Sequence, residues 1–417
     1  MQKPVTMIVA GAGGRGTGYA SFALARPKEA RVIGVAEPRD EYRNRLVRGH
    51  SIPRSAVYAD WKAMAARPRF ADAVIIATQD RMHTAPAVAF ARKGYSILLE
   101  KPMAPTEAEC RRIVAEVKRA RITFAVCHVM RYTRYTRAVK ALVAGGAIGD
   151  VVSIEHLEPV GFWHMAHSFV RGSWRNTRKS SFMLLAKSCH DLDWLRHIMG
   201  VPCTRVSSFG SLKHFRQAER PVGAAKRCMA CRIERSCPYS AKRIYLGLVR
   251  RGRKWWPVDV VTTDLTVAGV TKALREGPYG RCVWACDNDV VDHQVVNFEF
   301  AGGRTASFTM TAFTETRDRR TRIFGTRGEL RGNGSKVWIY DFLTRKTREI
   351  DTSKEGHGIL GGHGGGDGGL MEAFVRAVAT GDRSAILSGP KESLESHLMV
   401  FAAERARLRG TVERIRT

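Results

Sequence analysis

Val5 to Ala10 is a short apolar run that passes at once into Gly11-Ala12-Gly13-Gly14-Arg15-Gly16 and a helical stretch through Ala25. No other feature narrows the fold as far. A buried strand, a glycine turn and a helix opening directly behind it make the first unit of a dinucleotide-binding domain. Gly11 serves the turn, Gly13 the approach of backbone to a pyrophosphate, and Gly16 the packing of helix on strand, with Gly14 and Arg15 between them on the phosphate side. A second strand, Arg31 to Ala36, ends in Glu37 about 20 residues further on, where a carboxylate accepts both ribose hydroxyls of NAD and repels a 2′-phosphate. NAD is therefore the expected cofactor, and Arg39 two residues later keeps NADP within reach.

Strand and helix patterns go on alternating. Ala71 to Ala77 reads as a buried strand, His83 to Lys93 as a helix closed by Gly94, and Ser96 to Leu99 as another strand. That last strand stops at Glu100-Lys101-Pro102, two charges and a ring that cannot continue a ladder, so Lys101 points into the crevice beyond the carboxyl ends of parallel strands. Thr106 to Ala120 follows as a helix capped by Thr106, and Thr123 to His128 as a last strand. Successive β-α units of this kind predict a doubly wound parallel sheet over residues 1–127. From 128 to 417 the texture changes. A helix at Arg134 to Ala144 precedes longer alternating segments at Val151–Glu158, Thr204–Ser211, Asp289–Phe300, Thr305–Thr311, Thr321–Gly325, Glu329–Arg331 and Val337–Tyr340. They predict a second α/β domain on a mainly antiparallel sheet, one face against helices and the other free for a partner subunit. A flexible loop at Gly361 to Asp367 leads to helices at Leu370–Thr380 and Glu392–Leu408.

With 417 residues, 44% of them hydrophobic, the chain can build two or three cores. No apolar run approaches the roughly 20 residues that span a bilayer, and the N-terminus runs straight into a strand, so no membrane partner and a cytoplasmic location are expected. Nine cysteines in such a chain point to thiols or a metal site rather than disulfides. The formal charge is +30, and Lys213 to Lys254 holds 13 basic residues against Glu219 and Glu234. No aromatic-interleaved or helix-turn-helix pattern accompanies that charge, so it reads as a solvated basic surface, and nucleic acid is not an expected partner.

The glycine turn, Glu37, the spacing of Ala77-Thr78 and His83, and Glu100-Lys101-Pro102 together resemble the Gfo/Idh/MocA oxidoreductase family, as do Ala144 to His156 and the closing Glu395 to Gly410. The resemblance implies a nicotinamide-binding domain with Thr78, His83, Glu100, Lys101 and Pro102 on the cofactor side. It also implies a sheet-rich substrate and oligomerisation domain, hence a homodimer or homotetramer, and hydride transfer at a ring hydroxyl of a sugar, glycoside or cyclitol. The family carries a catalytic Asp and His four residues apart. His190 matches the His, but Ala186 stands at the Asp. Lys187, one helical turn before His190, would share its side, and Asp191, four beyond Lys187, would pair with it next to substrate. Such a reaction needs a base, a cation for the developing alkoxide, and a carbon held against the nicotinamide. His190 suits the first and Lys101 the second. Arg131, Tyr132, Trp163, His164, His167, Arg171, Trp174 and Arg175 form a polar-aromatic set resembling a sugar-binding surface.

Cys228, Cys231 and Cys237, in a basic insertion at about 213–288, have ligand-like spacing, and Cys282 or Cys286 would supply a fourth thiolate for a closed tetrahedral zinc site. An iron-sulfur cluster would use the same thiols, and buried free cysteines are the alternative. Three activities compete. The first is an NAD-dependent dehydrogenase; the second is a glycoside-cleaving enzyme that recycles a retained NAD; the third is a non-catalytic NAD-binding regulator.

Overall fold

The computed structural model describes residues 3–353 and 362–415. The loop expected from Gly361 starts outside that range; Gly362–Gly365 form a short turn, and the helix behind it runs Gly366–Thr380. Six parallel strands, β1 (Val5–Ala10), β2 (Ala30–Ala36), β3 (Val57–Tyr58), β4 (Ala73–Ile76), β5 (Ser96–Leu99) and β6 (Phe124–Val126), lie in the order β3-β2-β1-β4-β5-β6. This is a doubly wound sheet whose order reverses between β1 and β4, the crevice where such folds take their ligand. Every residue of β4 is buried, as a strand with helices on both faces must be.

The second sheet has nine strands: β7 (Val151–Pro159), β8 (Cys203–Ser211), β9 (His293–Phe300), β10 (Thr305–Thr311), β11 (Arg320–Gly325), β12 (Gly328–Gly332), β13 (Lys336–Asp341), β14 (Thr347–Asp351) and β15 (Glu413–Arg414). They are ordered β14-β13-β12-β11-β7-β10-β9-β8-β15 and are antiparallel except for β7 beside β10. One face packs on the helices Cys189–Met199 and Pro390–Arg409. On the other, Phe209 of β8 and Val295 of β9 sit opposite one another and exposed. The expected strand from Asp289 begins only at His293, because the Asp292 carboxylate accepts from the amides of Lys213 and His214 instead of letting the ladder continue. No helix among the described residues is long and apolar enough to cross a membrane.

Candidate active site

The glycine turn is built as the spacing requires. Gly11 has φ +96°, and a Cβ there would stand 2.5 Å from the Ala77 carbonyl oxygen; any side chain would part β1 from β4. Nothing lies within 4 Å of a Cβ on Gly14, which leaves the mouth of the turn open to a phosphate. Glu37 is buried at the end of β2 and accepts from the Ala12 amide (2.8 Å) and from Arg39 Nε (2.7 Å). Burial pushes this carboxyl up, but the bonds from Arg39 and the Ala12 amide outweigh it and hold the group below its ordinary range.

At the far end of the crevice Arg15 lies between two carboxylates, Nε on Glu100 Oε1 at 2.7 Å and Nη2 on Asp367 Oδ1 at 2.7 Å. Tyr19 donates to the same Glu100 oxygen at 2.9 Å. His83 spans the Pro102 carbonyl (2.7 Å) and the Thr78 carbonyl (3.1 Å). It braces the loop after β4 against the end of β5, with both ring nitrogens engaged by the protein. Sequence patterns also gave no sign of Asp80, a buried carboxylate that accepts from Ser180 and Ser181 across the two domains.

Lys101 reaches from the end of β5 into the second domain, where its Nζ donates to the Ala186 carbonyl at 2.8 Å. Ala186 ends the short helix Met183–Ala186, and Lys187 and Ser188 separate it from the helix Cys189–Met199 that carries His190. The expectation that Lys187 and His190 share one side of a continuous helix is therefore corrected: the chain kinks between them. Lys187 pairs with Glu158 of β7 at 3.0 Å, not with Asp191. Asp191 binds Arg319 (2.8 Å) and His156 (3.2 Å), and Arg319 also meets Glu158 at 2.6 Å. Burial lowers the Lys187 ammonium, Glu158 partly restores it, and Arg319 lowers it again. The same crowd of charge locates His164: burial, then Lys187, His167, Arg319 and Lys101, hold that imidazole well below its ordinary range. His190 is 7% exposed and stacks edge-on against buried His128.

Most of the expected substrate surface turns out to be framework. Arg131 grips Asp193 with both arms (2.7 and 2.8 Å) and Tyr132 accepts from the amides of Leu387 and Ser388, so both tie chain segments together inside the core. His167 bonds the Tyr245 hydroxyl and stacks on Tyr279. Arg171 is wholly buried and bonds the carbonyls of Arg281 and Tyr239. Arg175 pairs with Asp287, and Trp174 donates weakly to Asp80. Trp163 stays beside His164, its ring 5.1 Å from that of Trp256, a residue of the insertion.

The closed zinc site is also corrected. Among the described residues no group of three or more His, Cys, Asp or Glu is arranged to hold a metal ion. Cys228, Cys231, Cys237 and Cys282 do line one narrow pocket, while Cys286 turns its thiol to the Cys282 carbonyl. Burial raises Cys237, Cys282 and Cys286, and protonated thiols seek carbonyls rather than one another.

An open glycine turn behind β1, a buried carboxylate at the end of β2 and a lysine that reaches from β5 to the Ala186 carbonyl of the second domain fit a nicotinamide-dependent oxidoreductase. The model for the oxidoreductase family's NAD-binding Rossmann fold matches residues 5–128, and that for its C-terminal alpha/beta domain matches residues 140–412. The chain belongs to the Gfo/Idh/MocA oxidoreductase family. It is 28% identical to inositol 2-dehydrogenase 1 of Saccharopolyspora erythraea over 52% of this chain and 60% of that one. To the 2,7-anhydro-N-acetylneuraminate hydratase of Escherichia coli it is 27% identical, over 48% and 52%. Levoglucosan dehydrogenase, solved with NADH and levoglucosan, superposes with a TM-score of 0.73 over 99% of this chain and 100% of that one at 19% identity, which shows a shared fold.

Proposed function

We propose that this chain transfers a hydride between a ring hydroxyl carbon of a sugar, glycoside or cyclitol and the nicotinamide of NAD. The observation that carries the reading is the bond from Lys101 to the Ala186 carbonyl, which brings the cofactor domain's cation to the segment that carries His190. Inositol 2-dehydrogenase and levoglucosan dehydrogenase, among the similar proteins, support the substrate class. NAD, when bound, supplies the hydride acceptor or donor. Gly11, Gly13, Gly14 and Gly16 would hold its pyrophosphate, and Glu37 its ribose, in preference to NADP. His190 takes the hydroxyl proton, Lys101 stabilises the alkoxide, and Lys187, held by Glu158, orients the hydroxyl where the family's Asp is missing. Trp163 offers a face for the ring. The purified chain should produce NADH with at least one member of a panel of hexoses, anhydrosugars and inositols; no turnover and no binding across the panel would sink the reading.

The likeness to a 2,7-anhydro-N-acetylneuraminate hydratase favours a second reading, in which NAD is reduced and reoxidised within one cycle. Glycoside consumption without accumulating NADH selects it. We further propose a homo-oligomer that buries Phe209 and Val295 on the open sheet face, and a cytoplasmic location in keeping with nine free thiols. Native mass spectrometry reports the subunit number.

A further inference from the structure

His164 is an imidazole whose ring nitrogens take no hydrogen bond from the described residues. Its contacts there are rings: Trp163 (5.9 Å), Phe169 (5.9 Å) and Trp256 (5.2 Å). Neighbouring imidazoles are already committed, His156 to Thr321 and Asp191, and His167 to the Tyr245 hydroxyl. A half-buried polar ring held among aromatic walls gives up part of its hydration, and a ligand hydroxyl at its nitrogens replaces what is lost.

The chain brings this ring to the reacting groups. Glu158, near the end of β7, holds Lys187 and Arg319, and just beyond it a turn at Gly161 (φ +86°) leads into the short helix Phe162–His164. The Phe162 amide donates to the Thr314 carbonyl at 3.0 Å, which ties that turn to the segment leading to Arg319. Burial first, then the charges of Lys187, His167, Arg319 and Lys101, keep the ring neutral. A neutral imidazole offers one donor and one acceptor, as a hydroxyl requires.

The insertion at 213–288 holds the ring in place. After His164 the chain widens into a π-helix, Met165–Arg171, a winding that recurs at functional sites. Insertion residues grip that helix: the Tyr245 hydroxyl bonds His167 at 2.8 Å, Tyr279 stacks on the same ring at 5.1 Å, and Arg171 bonds the Tyr239 and Arg281 carbonyls. Trp256 then stands edge-on to both imidazoles, 5.2 Å from His164 at 82° and 5.4 Å from His167 at 89°. Walled by Trp163, Phe169 and Trp256, the His164 ring is fixed in orientation.

We propose that His164 binds a ring hydroxyl of the substrate beside the one that is oxidised, and that Trp256 of the insertion is the positioning residue that aims it. The assignment rests on the hydride-transfer reading for the place of the substrate. It adds a requirement: the substrate is a polyol with a free hydroxyl adjacent to the reacting one. The insertion is a specificity element, acting through His164 and taking no part in proton or hydride transfer.

The test pairs hydroxyl deletions in the ligand with substitutions in the full-length chain. Myo-inositol, glucose and levoglucosan, each with its monodeoxy analogues, are titrated calorimetrically into the NAD-loaded chain, and NADH formation is followed in parallel. For one deletion, the deoxy ligand should bind the unmodified chain about tenfold more weakly than its parent, but bind His164→Ala within about twofold of it. His164→Gln, which keeps a donor and an acceptor, should recover part of that discrimination. Trp256→Ala should lose it and Trp256→Phe regain it, so the comparison stands even if His164→Ala does not fold. A merely structural role weakens every ligand alike and leaves no such coupling. The same parent-to-deoxy ratio in the unmodified chain and the variants overturns the proposal, and leaves hydride transfer standing where NADH forms. Coupling without NADH upholds His164 and sinks hydride transfer; binding by none of these ligands sinks both.

Discussion

The proposed function rests the choice of cofactor on one carboxylate, Glu37, held by the Ala12 amide and by Arg39. NAD should bind at least tenfold more tightly than NADP, a difference of about 1.4 kcal/mol, and Glu37→Ala, which frees Arg39 for a 2′-phosphate, should shrink or reverse it in fluorescence titrations. Equal affinities for the unmodified chain would refute the assignment. In the proposed mechanism Lys101 and His190 act on the chemical step, so Lys101→Ala and His190→Ala should each lower kcat by about a hundredfold, about 2.7 kcal/mol, with little change in NAD affinity. Lys187→Ala leaves Glu158 to Arg319 alone and should depress kcat nearly as far; unchanged turnover would make Lys187 a structural partner of Glu158 and nothing more. The glycines, Glu37 and Lys101 were legible because each sits at a fixed offset from a strand end. Arg131, Tyr132 and Arg171 were misread because a buried brace and a substrate ligand draw on the same residue types, and only tertiary partners such as Asp193 tell them apart.

Among the elements, the helix Pro390–Arg409 does more than close the fold. Its His397 accepts from the Met103 amide at 2.9 Å through Nε2 and donates to the Ser393 carbonyl at 2.7 Å through Nδ1, so it must be neutral. Burial pushes it down to about 4, and burial pushes its neighbour His128 down to about 3. The unfolded chain binds protons at these sites from about pH 6.5 downward and the folded chain does not, so stability is full above that pH and is lost as it falls toward 4. The urea midpoint should therefore drop between pH 7 and pH 5, ahead of carboxylate titration, and a flat profile there would show that these histidines titrate normally. His397→Leu leaves the Met103 amide buried without a partner, should cost about 1–3 kcal/mol at pH 7, and should flatten the profile. Long elements were readable from the sequence by their period. Short ones, β3, β14 and β15, escaped because so few residues cannot display one, and the break at Lys187–Ser188 escaped because nothing in that run excludes a continuous helix.

Across the whole molecule the two sheets are joined at the cofactor crevice by polar ties: Arg15 to Asp367, Asp80 to Ser180 and Ser181, and Lys101 to Ala186. Asp367→Ala, far from the glycine turn in sequence, should weaken NAD binding several-fold and reduce the rise in melting temperature that NAD confers; an unaltered NAD shift would show that Arg15 needs no support from the C-terminal half. The last of these ties differs in kind. Because the acceptor for Lys101 is main chain, no exchange of side chain at 186 removes it, and only a shift of the backbone can. A change of side chain at buried residue 186 thus reaches the lysine only by displacing the main chain, so the tether is indifferent to whether an acid stands there and answers only to how well the new side chain packs.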